Sequence, residues 1–365
     1  MTRVPVAVQP RPYEAVIQSG LLAHAGACLR EILPGPKCLF VVTVPALRRK
    51  WANKFLGSLT AAGFAAKLVE MPDGEPHKRL QTVEDLAEKL TRVGADRSAV
   101  ILAFGGGVVG DVTGLLASLY MRGVDVVQVP TTLVAQVDAA IGGKTGVNLR
   151  AGKNLLGTFH QPRAVLIDPL VLATLSTRQF RAGLYESLKC GVIGNPELFQ
   201  RFEDSKDKLL RRDTAVLECV ITESVRLKAG IVAADERESG LRRALNFGHT
   251  IGHALEAETG YRGLLHGEAV AWGMLAATNI ALSVRRLDSV TAGRIADTVL
   301  GLGRLPRISV RSDRVVARLQ ADKKTRDGVV HFVLPTAIGK VEVVNDVPES
   351  VVVQAVDELR RLSKT

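Results

Sequence analysis

Aromatic side chains are scarce in this chain: Phe, Trp and Tyr together make up 4% of it, too few to build stacking platforms for single-stranded nucleic acid. No window holds about 18 uninterrupted apolar residues, the length a membrane-spanning helix needs. The four cysteines (Cys28, Cys38, Cys190 and Cys219) have no CxxC spacing and form no short disulfide framework, so reduced thiols are expected. The opening "MTRVPVAVQPRPYEAVIQ" lacks the continuous apolar core of a signal peptide. With no such segments, the expected location is the cytoplasm, without a membrane partner. Zinc-finger, basic-zipper and RNA-binding signatures are also missing. The net charge of +11 is spread along the chain, and only short clusters such as "LRRK" and "KLLRR" are dense. No nucleic-acid partner is expected; such a balance also attracts an anionic small molecule.

The chain has 365 residues, 47% apolar and 23% charged, enough for two domains with a core in each. In the first half, short apolar runs alternate with helical patterns. "KCLFVVTV", "FAAKLVEM", "SAVILAFGGG" and "VDVVQVPTT" read as strands. "ALRRKWANKFLGSLTAAG" and "TVEDLAEKLTRVG" read as amphipathic helices ending at glycine. This alternation predicts a Rossmann-like α/β domain whose parallel sheet carries helices on both faces and gathers ligands at the carboxyl ends of its strands. Beyond about residue 175 nearly every segment has helical period until "HFVLPTAIGKVEVV". We therefore expect residues 1–175 to form an α/β domain and 176–365 a mostly α-helical one, packed closely with a cleft between them.

Three stretches carry chemistry. "AFGGGVVGD" places Gly105, Gly107 and Gly110 directly after a strand, where the backbone can approach a pyrophosphate; a tight strand-to-helix turn is the plainer reading. "PTTLVAQVDAAIGGKTGVNLRAGKNLLGTFHQP" interleaves Thr131, Thr132, Asp138, Lys144, Asn148, Lys153 and Asn154 with glycine, a composition suited to holding phosphate and hydroxyl groups. In the helical half, "NFGHTIGHALE" puts His249 and His253 one turn apart on one helical face. "LLHGEAVAWGM" adds His266, so three of the seven histidines fall within 18 positions. Glu186 and Lys189 of "GLYESLKCG" share a helical face between apolar flanks. Glu186 with two imidazoles would make the His₂Glu set of a catalytic zinc site. Spacing leaves open which two of the three histidines bind the metal.

Taken together, "GGGVVGD", "MRG", "QVPTTLVAQVDAAIGGKTGVN", "GKNLLGTFHQP", "DERESGLRRALNFGHTIGHALE", "LLHGEAVAWGM" and "DKKTRDG" resemble the 3-dehydroquinate synthase family of sugar phosphate cyclases, from about residue 37 to 345. The resemblance implies tightly bound NAD used catalytically, and a divalent metal, usually zinc, with cobalt as an alternative. It makes 1–175 the NAD-binding domain and 176–365 the metal- and substrate-binding domain, with the active site in the cleft. The reaction it implies is conversion of 3-deoxy-D-arabino-heptulosonate 7-phosphate to 3-dehydroquinate and phosphate, a step of the shikimate pathway. The C5 hydroxyl is oxidised, phosphate is eliminated, the C5 ketone is reduced, and the ring opens and recloses by an aldol step. A homodimer is likewise expected by resemblance.

Carried over residue by residue, the resemblance makes Glu186, His249 and His266 metal ligands and His253 a proton-relay group. Lys144, Lys153, Asn154, Arg122, Lys189, Lys228, Glu238, Arg242, Asn246 and one lysine of "DKK", Lys324 or else Lys323, become substrate contacts, with Lys144, Lys189, Arg242 and Asn246 nearest the chemistry. Asp138 falls at the border of cofactor and substrate, as Lys144 and Lys153 also do. Glu75, Lys78, Gly106, Gly107, Asp111, Thr131 and Thr132 resemble NAD contacts. One stretch departs from the pattern. The family's ribose-contacting "TDxN" reads "TVPAL" here, with Val44 and Ala46, which implies looser NAD binding. The alternatives are another sugar phosphate cyclase, whose substrate contacts would differ, or a metal-dependent polyol dehydrogenase, which would release NADH.

Overall fold

The computed structural model describes residues 1–35, 38–325 and 330–364, with the backbone alone for 321–325. Two compact units emerge. The first comprises Met1–Leu175 together with Leu217–Ala233, and the second Ser176–Val216 with Ala234–Thr365. The sequence reading ran its second domain unbroken from 176, whereas most of the Thr214–Ala234 helix counts with the first unit. Ser19 and Lys228 anchor that helix there: Ser19 Oγ donates to Glu218 at 2.7 Å, and Lys228 Nζ to Asp138 Oδ1, also at 2.7 Å.

The first unit is built on a seven-stranded sheet. Its strands are β1 (Thr2–Val6), β2 (Tyr13–Ile17), β3 (Cys38–Thr43), β4 (Ala65–Glu70), β5 (Val100–Gly105) and β6 (Asp125–Pro130). A separate hairpin, β7 (Lys144–Leu149) with β8 (Gly152–Phe159), precedes the last sheet strand, β9 (Ala164–Ile167). The sheet order is β1-β2-β9-β6-β5-β3-β4, and only β1 and β2 pair antiparallel.

Strand periodicity sends alternate side chains to opposite faces. Leu39, Val41, Val100, Leu102, Phe104, Val127 and Val129 pack on one face with Leu29, Phe55 and Leu59 of two helices. Phe40, Val42, Ile101 and Val126 pack on the other with Val83, Leu86 and Leu90 and with Val112 and Leu115. Each such buried side chain contributes about 1.5–3 kcal/mol relative to its exposed state. Burial on both faces is why these strands read as continuous apolar runs. The chain reverses direction across the sheet between β3 and β5, so ligands are expected outside the carboxyl ends of that pair. There Thr43 Oγ1 donates to the Phe104 carbonyl at 2.8 Å, fixing Val44 close to Gly105 and Gly106.

Two parts of the first unit differ from the sequence reading. β1 and β2 were not anticipated. The glycine-interleaved stretch after Pro130, for which no strand was expected, contains the β7–β8 hairpin and buries Gln136, Val137, Ile141 and Val147.

The second unit is helical, with one hairpin of β10 (Phe332–Ala337) and β11 (Lys340–Val344). At its centre lies the His266–Ser283 helix, packed against the Thr177–Gly194, His249–Glu258, Ser289–Gly301 and Glu349–Leu362 helices and against β10. Glycines permit these close crossings. A Cβ on Gly267 would stand 1.9 Å from the Ala182 carbonyl oxygen, and one on Gly273 would stand 1.8 Å from that of Gly248. The helix carrying Glu186 and the helix carrying His249 and His253 are thereby drawn onto the helix that starts at His266. No helix among the described residues is long and apolar enough to cross a membrane.

Candidate active site

In the second unit five predicted residues converge. Glu186 is 1% exposed, on the Thr177–Gly194 helix. One of its oxygens lies 3.2 Å from His266 Nε2 and 3.9 Å from His249 Nε2. The other lies 2.6 Å from Lys189 Nζ, and Lys189 is equally buried. Neither oxygen is met by a hydrogen bond of good geometry, so lone pairs face the imidazoles. The ligand-capable atoms of His249, His253 and His266 all lie within 4.8 Å of one another. A tetrahedral ion with ligands at 2.0–2.1 Å needs donor separations of about 3.3 Å. The separations at Glu186, His249 and His266 bracket that value, so the residues fit a metal. His249 is buried, while His253, one turn along, is exposed.

Charge is tightly arranged here. Burial alone would raise the Glu186 carboxyl, but the Lys189 ammonium, with His266 and His249 beside it, holds it well below the usual carboxylate range. Burial and then Lys189 hold His249 well below the ordinary imidazole value. Burial opposes protonation of His266 too, yet its contacts with Glu186 and Glu256 carry it to about 10 in the metal-free protein.

Beside this cluster the segment 235–246 folds around Asp235, a residue the sequence reading missed. One Asp235 oxygen accepts from the backbone of Ser239 at 2.9 Å and from its hydroxyl at 3.0 Å; the other accepts from the amides of Gly240 at 2.7 Å and Arg242 at 3.0 Å. The amides of Arg242 and Gly240 foremost hold this carboxyl well below its usual range. The same turn orients Arg242, which is buried and donates to the Glu236 carbonyl, and Asn246, whose Nδ2 donates to Glu238 Oε1 at 2.7 Å. The side chains of Lys323 and Lys324 lie outside the described residues.

In the first unit Gly106 caps the Gly107–Leu119 helix at the carboxyl end of β5, and a Cβ there would stand 3.0 Å from Thr132 Cγ2. Thr131 donates its amide to the Gly105 carbonyl at 2.9 Å. Lys78 is buried and bonds both Asp111 and Asn154. Asn148 ties the parts together: its Nδ2 donates to Glu75 at 2.7 Å, and its Oδ1 accepts the Asn154 amide at 2.9 Å. Lys153 Nζ reaches to 4.0 Å from Glu75. Five predicted residues (Glu75, Lys78, Asp111, Lys153 and Asn154) are thus joined in one network. Asp138 instead pairs with Lys228, and Lys144 is exposed at the head of β7. Arg122 is not brought to them. It sits exposed, with φ 69°, in the turn before β6, beside Arg97, Ser98 and Asp125 at the amino ends of the strands.

Comparison with known proteins extends this geometry. The 2-epi-5-epi-valiolone synthase of Streptomyces hygroscopicus subsp. jinggangensis, solved with NAD+ and Zn2+ bound, matches with a TM-score of 0.89 at 33% identity, over 98% of this chain and 99% of that one. A 2-deoxy-scyllo-inosose synthase solved with carbaglucose-6-phosphate, NAD+ and Co2+ matches with a TM-score of 0.86 at 24% identity, over 99% of both chains. The class defined by this fold and site is the sugar phosphate cyclases. Within it, residues 68–182 match the family model for the 3-dehydroquinate synthase N-terminal region and residues 183–325 that for its C-terminal region. The 3-dehydroquinate synthase of Koribacter versatilis is 55% identical over 363 residues, covering 100% of this chain and 99% of its own. The chain belongs to the 3-dehydroquinate synthase family.

Proposed function

We infer that the chain converts 3-deoxy-D-arabino-heptulosonate 7-phosphate to 3-dehydroquinate and phosphate, the phosphate-eliminating cyclisation of its family, with NAD and a divalent metal. The observation that carries this reading is the buried Glu186 carboxylate facing His249 and His266, with exposed His253 beside them. When bound, the metal supplies Lewis-acid polarisation of the substrate's vicinal oxygens and NAD exchanges hydride at C5. Glu186, His249 and His266 hold the metal, zinc foremost, with cobalt able to replace it. His253 moves a proton at the substrate hydroxyls. Lys144, Lys153, Asn154, Lys189, Lys228, Glu238, Arg242, Asn246 and Lys324 bind and orient the polyol and its phosphate. Asp138 joins cofactor and substrate sides, and Glu75, Lys78, Gly106, Gly107, Asp111, Thr131 and Thr132 hold NAD, with Lys144 and Lys153 serving both ligands.

The protein works, on this reading, as a cytoplasmic homodimer. Support for a second copy comes from exposed apolar residues: Leu149, Leu155, Leu156 and Phe159 on the β7–β8 hairpin, and Leu119 at the end of the helix that Thr158 meets through Ser118, with Met121 just beyond it. Arg122, next to Met121, is a further substrate contact on this reading.

The deciding assay supplies the heptulosonate phosphate, metal and a trace of NAD, and follows phosphate and 3-dehydroquinate together. Many turnovers per NAD with no net NADH are expected. NADH accumulating in step with product would make the protein a polyol dehydrogenase instead. Turnover of sedoheptulose 7-phosphate in preference to the heptulosonate would make it another cyclase.

A second expectation concerns the departure at Val44 and Ala46. Val44 is 4% exposed and belongs to the core of one sheet face, so an aspartate there would be buried and destabilising. Ala46 is half-buried outside that core. We expect Ala46→Asn to tighten NAD binding, measured by calorimetry, by roughly 1 kcal/mol, the net worth of one hydrogen bond. Unchanged affinity would mean the ribose is not held there.

A further inference from the structure

Glu256 is not among the residues expected from the family pattern. It lies on the His249–Glu258 helix, seven positions after His249 and three after His253, with 3% of its surface exposed. Its Oε2 stands 3.2 Å from His266 Nδ1, while Nε2 of the same ring stands 3.2 Å from Glu186 Oε1. One imidazole is therefore gripped between two buried carboxylates on two different helices. The two contacts are not equivalent. A carboxylate only accepts, so the Glu256 contact requires a proton on Nδ1. With a proton held on Nδ1, Nε2 is the nitrogen that faces Glu186, and the two are bridged by a cation, either a second proton or a metal ion. His249 is oriented the same way by a weaker partner: its Nδ1 lies 3.1 Å from the neutral Phe247 carbonyl.

A buried carboxylate is costly to keep charged without an assignment of this kind. Other partners of Glu256 would steady its side chain without altering which nitrogen it faces.

We propose that Glu256 is a positioning residue for the metal site: it fixes the His266 ring with Nε2 toward Glu186 and makes that nitrogen a stronger ligand. The inference rests on the reading of Glu186, His249 and His266 as metal ligands. Partners of this type affect metal affinity by about 10–100-fold when removed.

The test is competition for zinc between a chromogenic chelator and the purified, metal-free full chain, with folding checked by circular dichroism. Glu256→Gln, which keeps the shape and loses the charge, should bind zinc about 10–100-fold more weakly than the parent. Glu256→Asp, which keeps the charge but draws it back from Nδ1, should also weaken binding, and it is the variant to read if the glutamine form does not fold. Cobalt-loaded variants should show an altered visible absorption band, because the His266 ring is no longer held. Parental zinc affinity and an unaltered cobalt band in the folded variants would overturn the proposal and leave Glu256 as packing. A parent that binds no zinc would instead overturn the underlying assignment of the metal site, so the two failures are distinguishable.

Discussion

His253→Ala is expected to retain near-stoichiometric metal while its turnover falls about 10²–10⁴-fold, the usual worth of a positioned proton-transfer group. His249→Ala, His266→Ala and Glu186→Ala should each lose the metal, because a site with three protein ligands cannot spare one. The geometry makes this a real choice, since the three imidazoles lie within 4.8 Å of one another and could form a triad without the carboxylate. Two observations favour Glu186. It is a fully buried carboxylate whose oxygens lack well-directed hydrogen bonds, which is stable only beside positive charge. His253, in contrast, is exposed, where a substrate hydroxyl can reach it. Metal analysis of the four purified variants beside their rates settles the roles. Metal lost from the His253 variant but kept in the Glu186 variant would exchange the two assignments.

What could be read beforehand, and what could not, follows from where the information lies. β3, β5 and β6 were legible because burial on both faces leaves continuous runs such as "VILAF" and "VVQVP". β1 and β2 were not: β1 is short, alternates exposed and buried positions, and carries Pro5, which fits only a sheet edge. The β7–β8 hairpin was hidden for the opposite reason. β8 leaves Leu155, Leu156 and Phe159 exposed, so its apolar residues follow no single-chain burial pattern, and the pairing of Thr145 with Thr158 is invisible in spacing.

The same contrast holds at the site. His249 and His253 share a helix turn, and Glu186 and Lys189 share another, so local periodicity exposes both pairs. Only the close helix crossings at Gly267 and Gly273 bring the two pairs and His266 together. Glu256 had a usable signal, its place seven residues after His249 on the same face, but the partner that gives it meaning lies on the next helix. Asp235 had none, because its partners are backbone amides.

Lys189→Met should destabilise the metal-free protein by about 3–5 kcal/mol, the cost of stranding one member of a buried ion pair. Lys189 and Glu186 are each 1% exposed with Nζ 2.6 Å from the carboxylate, and methionine fills similar volume without charge. The sign with pH follows from the direction of the Glu186 shift. Its folded-state pKa lies well below the ordinary value near 4.3, so the pair's stabilisation is present at neutral pH and is lost only as pH falls through that depressed value. In the variant this acid-side loss should shrink, because a carboxylate without its ammonium has less to lose on protonation. Metal should restore part of the stability, since a divalent cation among Glu186, His249 and His266 supplies the missing positive charge to the same oxygens. Turnover should still collapse, because Lys189 also serves the substrate on our reading. Urea unfolding in chelator and in excess zinc, at neutral and acid pH, measures each part. A loss below about 1 kcal/mol in chelator would mean that Glu186 is not charged in the fold, and the case for it as a metal ligand would fall with it.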